Sequence, residues 1–187
     1  GFLSVASKAA GLALAFLIFY RIFGRFLDSA TPIIAIFSAV TMTFGNLVAI
    51  RQNNLKRFMA YSAISQAGYL LMGFLGAPSD LGASAMAFYM LIYILTNFAA
   101  FAVLILHIDQ TGEEDITSLR GFSRTHPALA LTLMIALFGL AGIPPLSGFV
   151  GKFFLFSVAA SAKLYWLVGL AAVNSTVSLY YYLRIIR

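Results

Sequence analysis

Long apolar runs, each about the length of a membrane crossing, fill most of this 187-residue chain. A helix needs about 20 consecutive apolar residues to cross the hydrocarbon core of a bilayer. Six runs meet this requirement, at residues 1–23, 32–50, 55–75, 81–106, 127–158 and 163–186. The pattern therefore predicts an all-α integral membrane fold of about six transmembrane helices, with residues 1–187 forming a single transmembrane domain.

The fifth run carries an interruption that the others lack. Pro144 and Pro145 are adjacent, and glycines flank them at Gly142 and Gly148. Each proline removes a backbone donor and crowds the preceding turn. In hydrocarbon such a break is tolerated only where it is buried in protein or lines a wet cavity. We therefore predict a broken transmembrane helix at this point.

One connection is long and polar. Residues 107–126 contain four of the six acidic residues, and Asp115–Leu119 is predicted to form a short amphipathic turn. Six alternating crossings place the 51–57 loop, the 107–126 loop and the C-terminal end on one side, with seven basic residues against three on the other. Basic loops face the cytoplasm or an equivalent compartment, so the 107–126 loop is predicted to be cytoplasmic or on the matrix side.

The composition is that of a membrane protein and not of a soluble domain. Hydrophobic residues make up 61% of the chain and charged residues 10%, whereas soluble domains carry about 25% charged residues. Cysteine is absent and only two histidines are present, which argues against a thiolate or histidine metal site. We interpret the net charge of +6 as loop charge that sets orientation, not as a nucleic-acid patch. Because the chain begins at Gly1 in mid-helix character, we expect a fragment of a longer protein.

Two lysines are the strongest candidates for chemistry. Lys152 follows the helix break, far in sequence from His126 and Lys163, its nearest ionisable neighbours. Burial disfavours the charged form of a lysine, so a proton-carrying role is expected; the alternative is a structural pair with a carboxylate. Since the carboxylates are predicted to lie in loops, that partner would come from absent sequence or another subunit. Lys8 shares a narrow polar helix stripe with Ser7, and is either a second carrier or a lysine that snorkels to the interface.

Several polar residues are weaker candidates. Lys56 opens the third crossing, where an interfacial anchor is the more ordinary interpretation. The third crossing carries a hydroxyl and amide stripe that could organise water or pack helices, made of Ser62, Ser65, Gln66 and Tyr69. Thr96, Asn97 and the polar group Asn174–Ser178 more often serve helix packing. We interpret Tyr180–Tyr182 as an interfacial aromatic belt.

Residue chemistry alone thus indicates a proton or ion path, and no motif for a nicotinamide, flavin or iron–sulfur cofactor occurs in the chain. Three stretches carry a resemblance. They contain Ala-Ser-Lys at 6–8, Leu-Lys-Arg-x-x-Ala-Tyr-Ser at 55–62, and Gly-Lys-Phe at 151–153 with Tyr-Tyr-Tyr-Leu-Arg at 180–184. Together they resemble the antiporter-like membrane-arm subunits of respiratory complex I, the NADH–quinone oxidoreductase, and among them subunit N (mitochondrial subunit two).

The resemblance implies a partial inverted-repeat fold, in which this chain holds the second repeat and the end of the first. Lys152 matches the lysine of the second broken helix, and Lys8 matches the lysine of the helix after the first broken helix. Gln66 stands where many relatives carry histidine, which leaves a hydrogen-bonding role intact. The implied function is proton translocation through buried lysines and hydrated polar residues, driven by redox chemistry in other subunits.

The same resemblance implies the surroundings. No cofactor is expected on this chain, because NADH, FMN, iron–sulfur clusters and quinone would belong to other subunits. The expected partners are other complex I membrane-arm subunits, the lipid bilayer, protons and water. The expected location is a bacterial inner membrane, with mitochondrial inner or thylakoid membrane as alternatives. Two other functions stay open: a subunit of a multisubunit Na⁺/H⁺ antiporter or membrane-bound hydrogenase, and a structural scaffold with inert lysines.

Overall fold

A computed structural model describes residues 10–11, 13–18, 27–76 and 80–187. Lys8 and Ser7 lie outside the described residues, as does most of the first predicted crossing. Residues 10–11 and 13–18 are helical.

The described part of the chain is built of α-helices and short 3₁₀ turns. We number the α-helices in chain order: α1 (Leu27–Ile50), α2 (Leu55–Leu71), α3 (Asp80–Thr111), α4 (Phe122–Thr125), α5 (Pro127–Ala141), α6 (Ser147–Ser161) and α7 (Tyr165–Ile186). The 3₁₀ turns are Met72–Gly76, which continues α2, and Ile116–Leu119. The predicted all-α membrane class is confirmed, and so is the broken fifth run, which appears as α5 and α6.

Three of the described helices are both long and apolar enough to cross a membrane, at Ala30–Ile50, Leu55–Leu75 and Leu81–Thr111. The two halves of the broken helix are shorter apolar helices. Helix α7 has the length of a crossing, but its asparagine, hydroxyl and tyrosine residues make it less apolar.

Helix ends differ from the prediction because an apolar run marks the hydrocarbon layer, whereas helices continue into the headgroup region. Helix α3 runs to Thr111, so the polar connection does not begin at His107, which is buried in that helix. Asp28, Asp80 and Asp109, which were expected in loops, lie within helix bounds instead. The predicted turn at Asp115–Leu119 is confirmed as a 3₁₀ turn that the Asp115 side chain caps.

Close backbone contact joins α1 to α2. A Cβ added to Gly45 would lie 2.5 Å from the Ser65 backbone nitrogen, and one added to Gly68 would lie 2.5 Å from that of Met42. Small residues at such crossings let two helices pack tightly without a hydrophobic driving force in lipid. This contact fixes the face of α2 that turns toward the rest of the bundle.

Backbone hydrogen bonds connect the 51–57 loop to the 107–126 loop. Leu55 N donates to Glu114 O at 2.7 Å, and Ile116 N donates to Asn53 O at 2.8 Å. Arg184, at the end of α7, donates to Asn53 Oδ1 at 2.6 Å and Ile50 O at 3.1 Å. The prediction that these two loops and the C-terminal end share one side is therefore confirmed. We call this side the clasp face.

Candidate functional site: a buried lysine at a helix break

The helix break exposes carbonyl groups that must find new partners. Gly142 N donates to Phe138 O at 3.0 Å and to Gly139 O at 3.2 Å, which closes the last turn of α5. Leu140 O accepts from Gln66 Nε2 at 3.1 Å, and Ala141 O accepts from Lys152 Nζ at 2.8 Å. Side chains from α2 and α6 thus satisfy the two freed carbonyls, as a break in an apolar layer requires.

Lys152 is buried at the centre of this arrangement, with 3% of its surface exposed. Its ammonium also donates to Ser175 Oγ on α7 at 3.1 Å and lies 4.7 Å from the centroid of the Tyr69 ring on α2. A cation over an aromatic face gains electrostatic stabilisation, more so when it is desolvated. The ligands of Lys152 are therefore a carbonyl, a hydroxyl and a ring face, all uncharged.

Gly142 makes room for this lysine. Its φ of +80° lies in the left-handed region, which glycine adopts without steric penalty. A Cβ at this position would lie 2.9 Å from Lys152 Cδ and 3.4 Å from its Nζ. The glycine is needed both for the backbone turn and for the space that the lysine occupies.

Gly148 lets the two half-helices meet. A Cβ there would collide with the carbonyl group of Gly139 in α5. Pro144 and Pro145 are exposed in the connecting turn, and the peptide bond between them is cis. All four residues predicted for the break thus lie at it.

A first polar network extends from the break toward the clasp face. Gln66 Oε1 accepts from the Tyr89 hydroxyl of α3, and Gln66 Nε2 donates to the Tyr182 hydroxyl of α7 at 3.3 Å. The Tyr182 hydroxyl in turn shares a hydrogen bond with Ser62 Oγ at 2.5 Å. We call Gln66, Tyr89, Tyr182 and Ser62 the glutamine network. It connects the carbonyl of Leu140, beside the lysine ligand, to a hydroxyl one turn earlier on α2.

A second network lies on the α1 side of α7. Asn46 Nδ2 donates to Asn174 Oδ1 at 2.8 Å, and the Tyr181 hydroxyl donates to Asn46 Oδ1 at 2.8 Å. The Tyr69 hydroxyl donates to Ala171 O at 3.2 Å and lies close to the side chains of Asn46 and Ser175. We call Asn46, Asn174, Tyr181 and Tyr69 the asparagine network. It also begins beside Lys152, because Ser175 is a ligand of the ammonium.

Two buried hydroxyls in this region lack a protein partner among the described residues, those of Ser65 and Tyr93. The Tyr93 hydroxyl lies within electrostatic range of the Tyr182 hydroxyl in the glutamine network. Buried polar groups without protein partners are usually satisfied by internal water. The region around Gln66 therefore favours hydration.

The remaining predicted residues have separate positions. Thr96 Oγ1 and Asn97 Nδ2 donate to carbonyls of their own helix, at 2.7 Å to Ile92 and 3.1 Å to Tyr93, so these hydrogen bonds stay within α3. Lys56 is exposed on the clasp face and pairs with Glu114 at 2.5 Å, in keeping with an interfacial anchor. This hydrogen bond from Lys56 holds the pKa of Glu114 below its usual range, and one from Asn54 adds to the effect.

Sequence reasoning missed Tyr89 and Asn46. It named Ser175 but favoured a helix-packing role for it, and it assigned Tyr182 to an aromatic belt. The interpretation of Tyr180–Tyr182 as an interfacial belt is wrong for two of the three, since only Tyr180 is exposed and both neighbours are buried. The available signal was the spacing of Ser175, Ser178 and Tyr182, which places three polar side chains on one face of α7.

An open cavity of about 320 Å³ lies beside the break. Its walls include Lys152, Ser175, Phe149 and Thr176. The side chain of Lys152 therefore borders a cavity that is not fully enclosed.

A broken helix, a buried lysine held by uncharged ligands and hydrogen-bonded polar side chains between helices define a polytopic membrane protein with an ionisable site inside its helix bundle. The comparisons agree with this class. The chain belongs to the NADH:quinone oxidoreductase/Mrp antiporter transmembrane family, whose model matches residues 1–178.

Among similar proteins, the NADH-quinone oxidoreductase subunit N of Anaeromyxobacter sp. (strain Fw109-5) is 44% identical over 100% of this chain and 39% of its own length. A chain in the structure of respiratory complex I from Thermus thermophilus with bound aureothin is 38% identical, with a TM-score of 0.73 over 81% of this chain and 34% of that chain. A chain of the membrane-bound sulfane sulfur reductase, an archaeal respiratory membrane complex, is 28% identical, with a TM-score of 0.87 over 97% of this chain and 38% of that chain. The chain thus spans about two fifths of the length of the subunit N relative.

Proposed function

We propose that this chain is the proton-translocating part of a membrane-arm subunit of an NADH–quinone oxidoreductase, with Lys152 as its principal proton carrier. The subunit performs no electron chemistry itself. NADH, FMN, iron–sulfur clusters and quinone belong to partner subunits, whose redox reactions supply the energy. The membrane is a bacterial inner membrane.

One observation carries the proposal: Lys152 is buried but has no carboxylate partner among the described residues. The ion pair of the described region is Lys56–Glu114 on the clasp face. A lysine fixed by a buried carboxylate would be costly to deprotonate, because the carboxylate would be left uncompensated. A carbonyl and a hydroxyl accept a hydrogen bond from a neutral amine as well as from an ammonium. Loss of the proton therefore leaves no unpaired charge at the site.

Proton movement follows from the neighbours of Lys152. The glutamine and asparagine networks both begin beside its ammonium and consist of groups that can orient water. Lys8 passes protons laterally toward Lys152 through such waters. Because like charges repel strongly in a low dielectric, a proton on one lysine favours release from its neighbour, which couples successive steps. Thr96, Asn97 and Lys56 are peripheral to this route.

The experiment replaces Lys152 in the full-length protein within its assembled complex. Lys152→Met removes the titrating group, and Lys152→Arg keeps a charge that does not dissociate at physiological pH. We expect both variants to lower the number of protons pumped per electron pair. Lys163→Met is the matched control, since Lys163 is exposed at a helix end, and is expected to pump normally.

Unchanged pumping in Lys152→Met would contradict the carrier role and support a scaffold with inert lysines. A reduced yield of assembled complex is distinguished from lost pumping by normalising to redox activity measured with the membrane made leaky to protons.

A second function is favoured by the family itself, which also includes Mrp antiporters, and by the high structural similarity to an archaeal respiratory membrane complex. In that case the same lysine site would serve a multisubunit Na⁺/H⁺ antiporter or a membrane-bound hydrogenase. Purification of the native complex decides between them. Flavin and NADH-oxidising subunits that copurify support the first proposal. Na⁺-dependent proton exchange without redox subunits supports the antiporter, and copurifying hydrogen-converting redox subunits support the hydrogenase.

A further inference from the structure

We propose that Phe58, packed on Tyr181 and Tyr182, forms an aromatic gate that separates the buried lysine site from the clasp face. The inference rests on the proposed proton-translocating function and names the group that controls access to the site from one side.

The gate lies where the two polar networks converge. The glutamine network ends on the clasp side at Tyr182 and Ser62, and the asparagine network ends at Tyr181. Tyr181 and Tyr182 are consecutive on α7, and their ring centroids are 4.6 Å apart. Both routes from Lys152 toward the clasp face therefore reach the same pair of side chains.

Phe58 covers both tyrosines. Its ring centroid is 5.4 Å from that of Tyr181 and 5.9 Å from that of Tyr182, with interplanar angles of 83° and 85°. Edge-to-face contacts of this kind stabilise aromatic pairs beyond the burial of their surface. Phe58 is 1% exposed, and it lies one helical turn from Ser62 toward the start of α2.

The clasp face begins one turn beyond Phe58. Leu55 is fully buried in that turn, and the partly exposed Asn54 caps the helix. Asn54 also donates to the Glu114 carboxylate at 2.7 Å, within the surface hydrogen bonds that join the two loops. One helical turn rises about 5.4 Å. Along α2, the buried apolar side chains of Leu55 and Phe58 thus lie between Ser62 and the polar surface.

In this arrangement, the gate controls the passage of water between the loops and Ser62. With Phe58 in place, the networks are sealed toward the clasp face and water cannot pass from the loops to Ser62. Rotation of the Phe58 ring away from the tyrosines would join the surface to both networks at once. A proton route with alternating access needs a barrier of this kind, because a continuous water path on both sides would be a leak.

The experiment measures access to Ser62 from the clasp face. Residues 1–187 contain no cysteine, so Ser62→Cys introduces a single thiol into this region of the full-length protein within its complex. A membrane-impermeant maleimide is added to the clasp side. The complex that keeps Ser62 gives the background labelling at other thiols, which is subtracted. We expect slow labelling with Phe58 intact and a rate about tenfold higher or more with Phe58→Ala, which corresponds to about 1.4 kcal/mol in an opening equilibrium.

Control variants distinguish opening at Phe58 from a general loosening of helix packing. Phe37→Ala removes the same side chain from α1, where Phe37 is 63% exposed, and is expected to leave the rate unchanged. Ser123→Cys, exposed in α4, reports that the reagent reaches the clasp face. Phe58→Leu keeps apolar bulk without the edge-to-face contacts and is expected to give a smaller increase; it decides the question if Phe58→Ala does not assemble.

Equal labelling rates in the Phe58 variants and the Phe37 control would overturn the gate. Rapid labelling of Ser62→Cys with Phe58 intact would overturn it as well. These outcomes are independent of pumping: a Lys152→Met complex that still pumps defeats the proposed function, whereas the thiol measurement reports only whether Phe58 blocks access.

Discussion

Replacing Gly142 by alanine tests whether the break positions Lys152 or merely turns the chain. At φ +80°, an alanine adopts the left-handed conformation, which costs about 1–2 kcal/mol. Its Cβ would also lie 2.9 Å from Lys152 Cδ and 3.3 Å from Cε. The lysine can move, because its side chain is flexible, but the movement takes Nζ away from Ala141 O. A hydrogen bond with a charged partner contributes about 1.5–3 kcal/mol, so we expect a total cost of about 2.5–5 kcal/mol.

The chain offers a matched control for the backbone contribution. Gly121 has a nearly identical φ of +78°, and no atom lies within 4 Å of its added Cβ. Gly121→Ala therefore carries the left-handed strain alone, about 1–2 kcal/mol, at a site remote from the lysine. The difference between the two variants isolates the displacement of Lys152.

The assay combines two measurements on the assembled complex, the midpoint of thermal inactivation and the number of protons pumped per electron pair. We expect Gly142→Ala to lower the midpoint more than Gly121→Ala does and to reduce pumping, while Gly121→Ala pumps normally. Equal midpoints together with normal pumping in Gly142→Ala would refute the reasoning, since they would show that the position of Lys152 tolerates the extra methyl group.

Two further predictions concern the packing of the half-helices and the clasp face. Gly148→Ala places a methyl group against the backbone of Gly139, which no side-chain rotation relieves, so we expect a loss of about 1–3 kcal/mol or more. Gly169→Ala, whose Cβ meets nothing within 4 Å, should retain the stability of the parent in the same thermal inactivation assay. The Lys56 hydrogen bond lowers the pKa of Glu114. The stability that this hydrogen bond gives to the joined loops is therefore complete above the ordinary carboxyl pKa, and it is lost as the pH falls through the lowered pKa. The rate of hydrogen exchange at residues 112–119, corrected for intrinsic rates, should therefore rise in acid. Glu114→Gln should exchange faster than the parent at neutral pH, and its rate should rise less in acid. A pH-independent exchange rate in the parent would contradict this.

Local chemistry made the helices and the break predictable. A bilayer imposes a minimum length on each apolar run, and the loss of backbone donors at Pro144 and Pro145 imposes an interruption wherever it falls. The buried position of Lys152 followed from its distance in sequence from any polar segment. Predictions of this kind need no knowledge of which helices are neighbours.

The ligands of Lys152 were not predictable on the same basis. Ser175 is 23 residues away from the lysine, and Tyr182 lies 116 residues from Gln66. Serine and tyrosine on a transmembrane helix serve packing, interface or pathway roles equally well, and only the contact between α7 and the broken helix decides among them. The bounds of α3 were missed for a different reason, because His107 is polar in type but buried beside Phe122 and Ser118.

The end of α5 supplies Lys152 with a counter-charge that cannot be titrated. The aligned peptide dipoles of a helix place about half a negative elementary charge at its C-terminus, and the ammonium binds the Ala141 carbonyl at this pole. A carboxylate in the same place could itself accept a proton and cancel the attraction. A peptide group stays polarised at every pH, and a side-chain substitution leaves it in place. The field that draws a proton to this lysine therefore belongs to the backbone and would change only if the break itself moved along the helix.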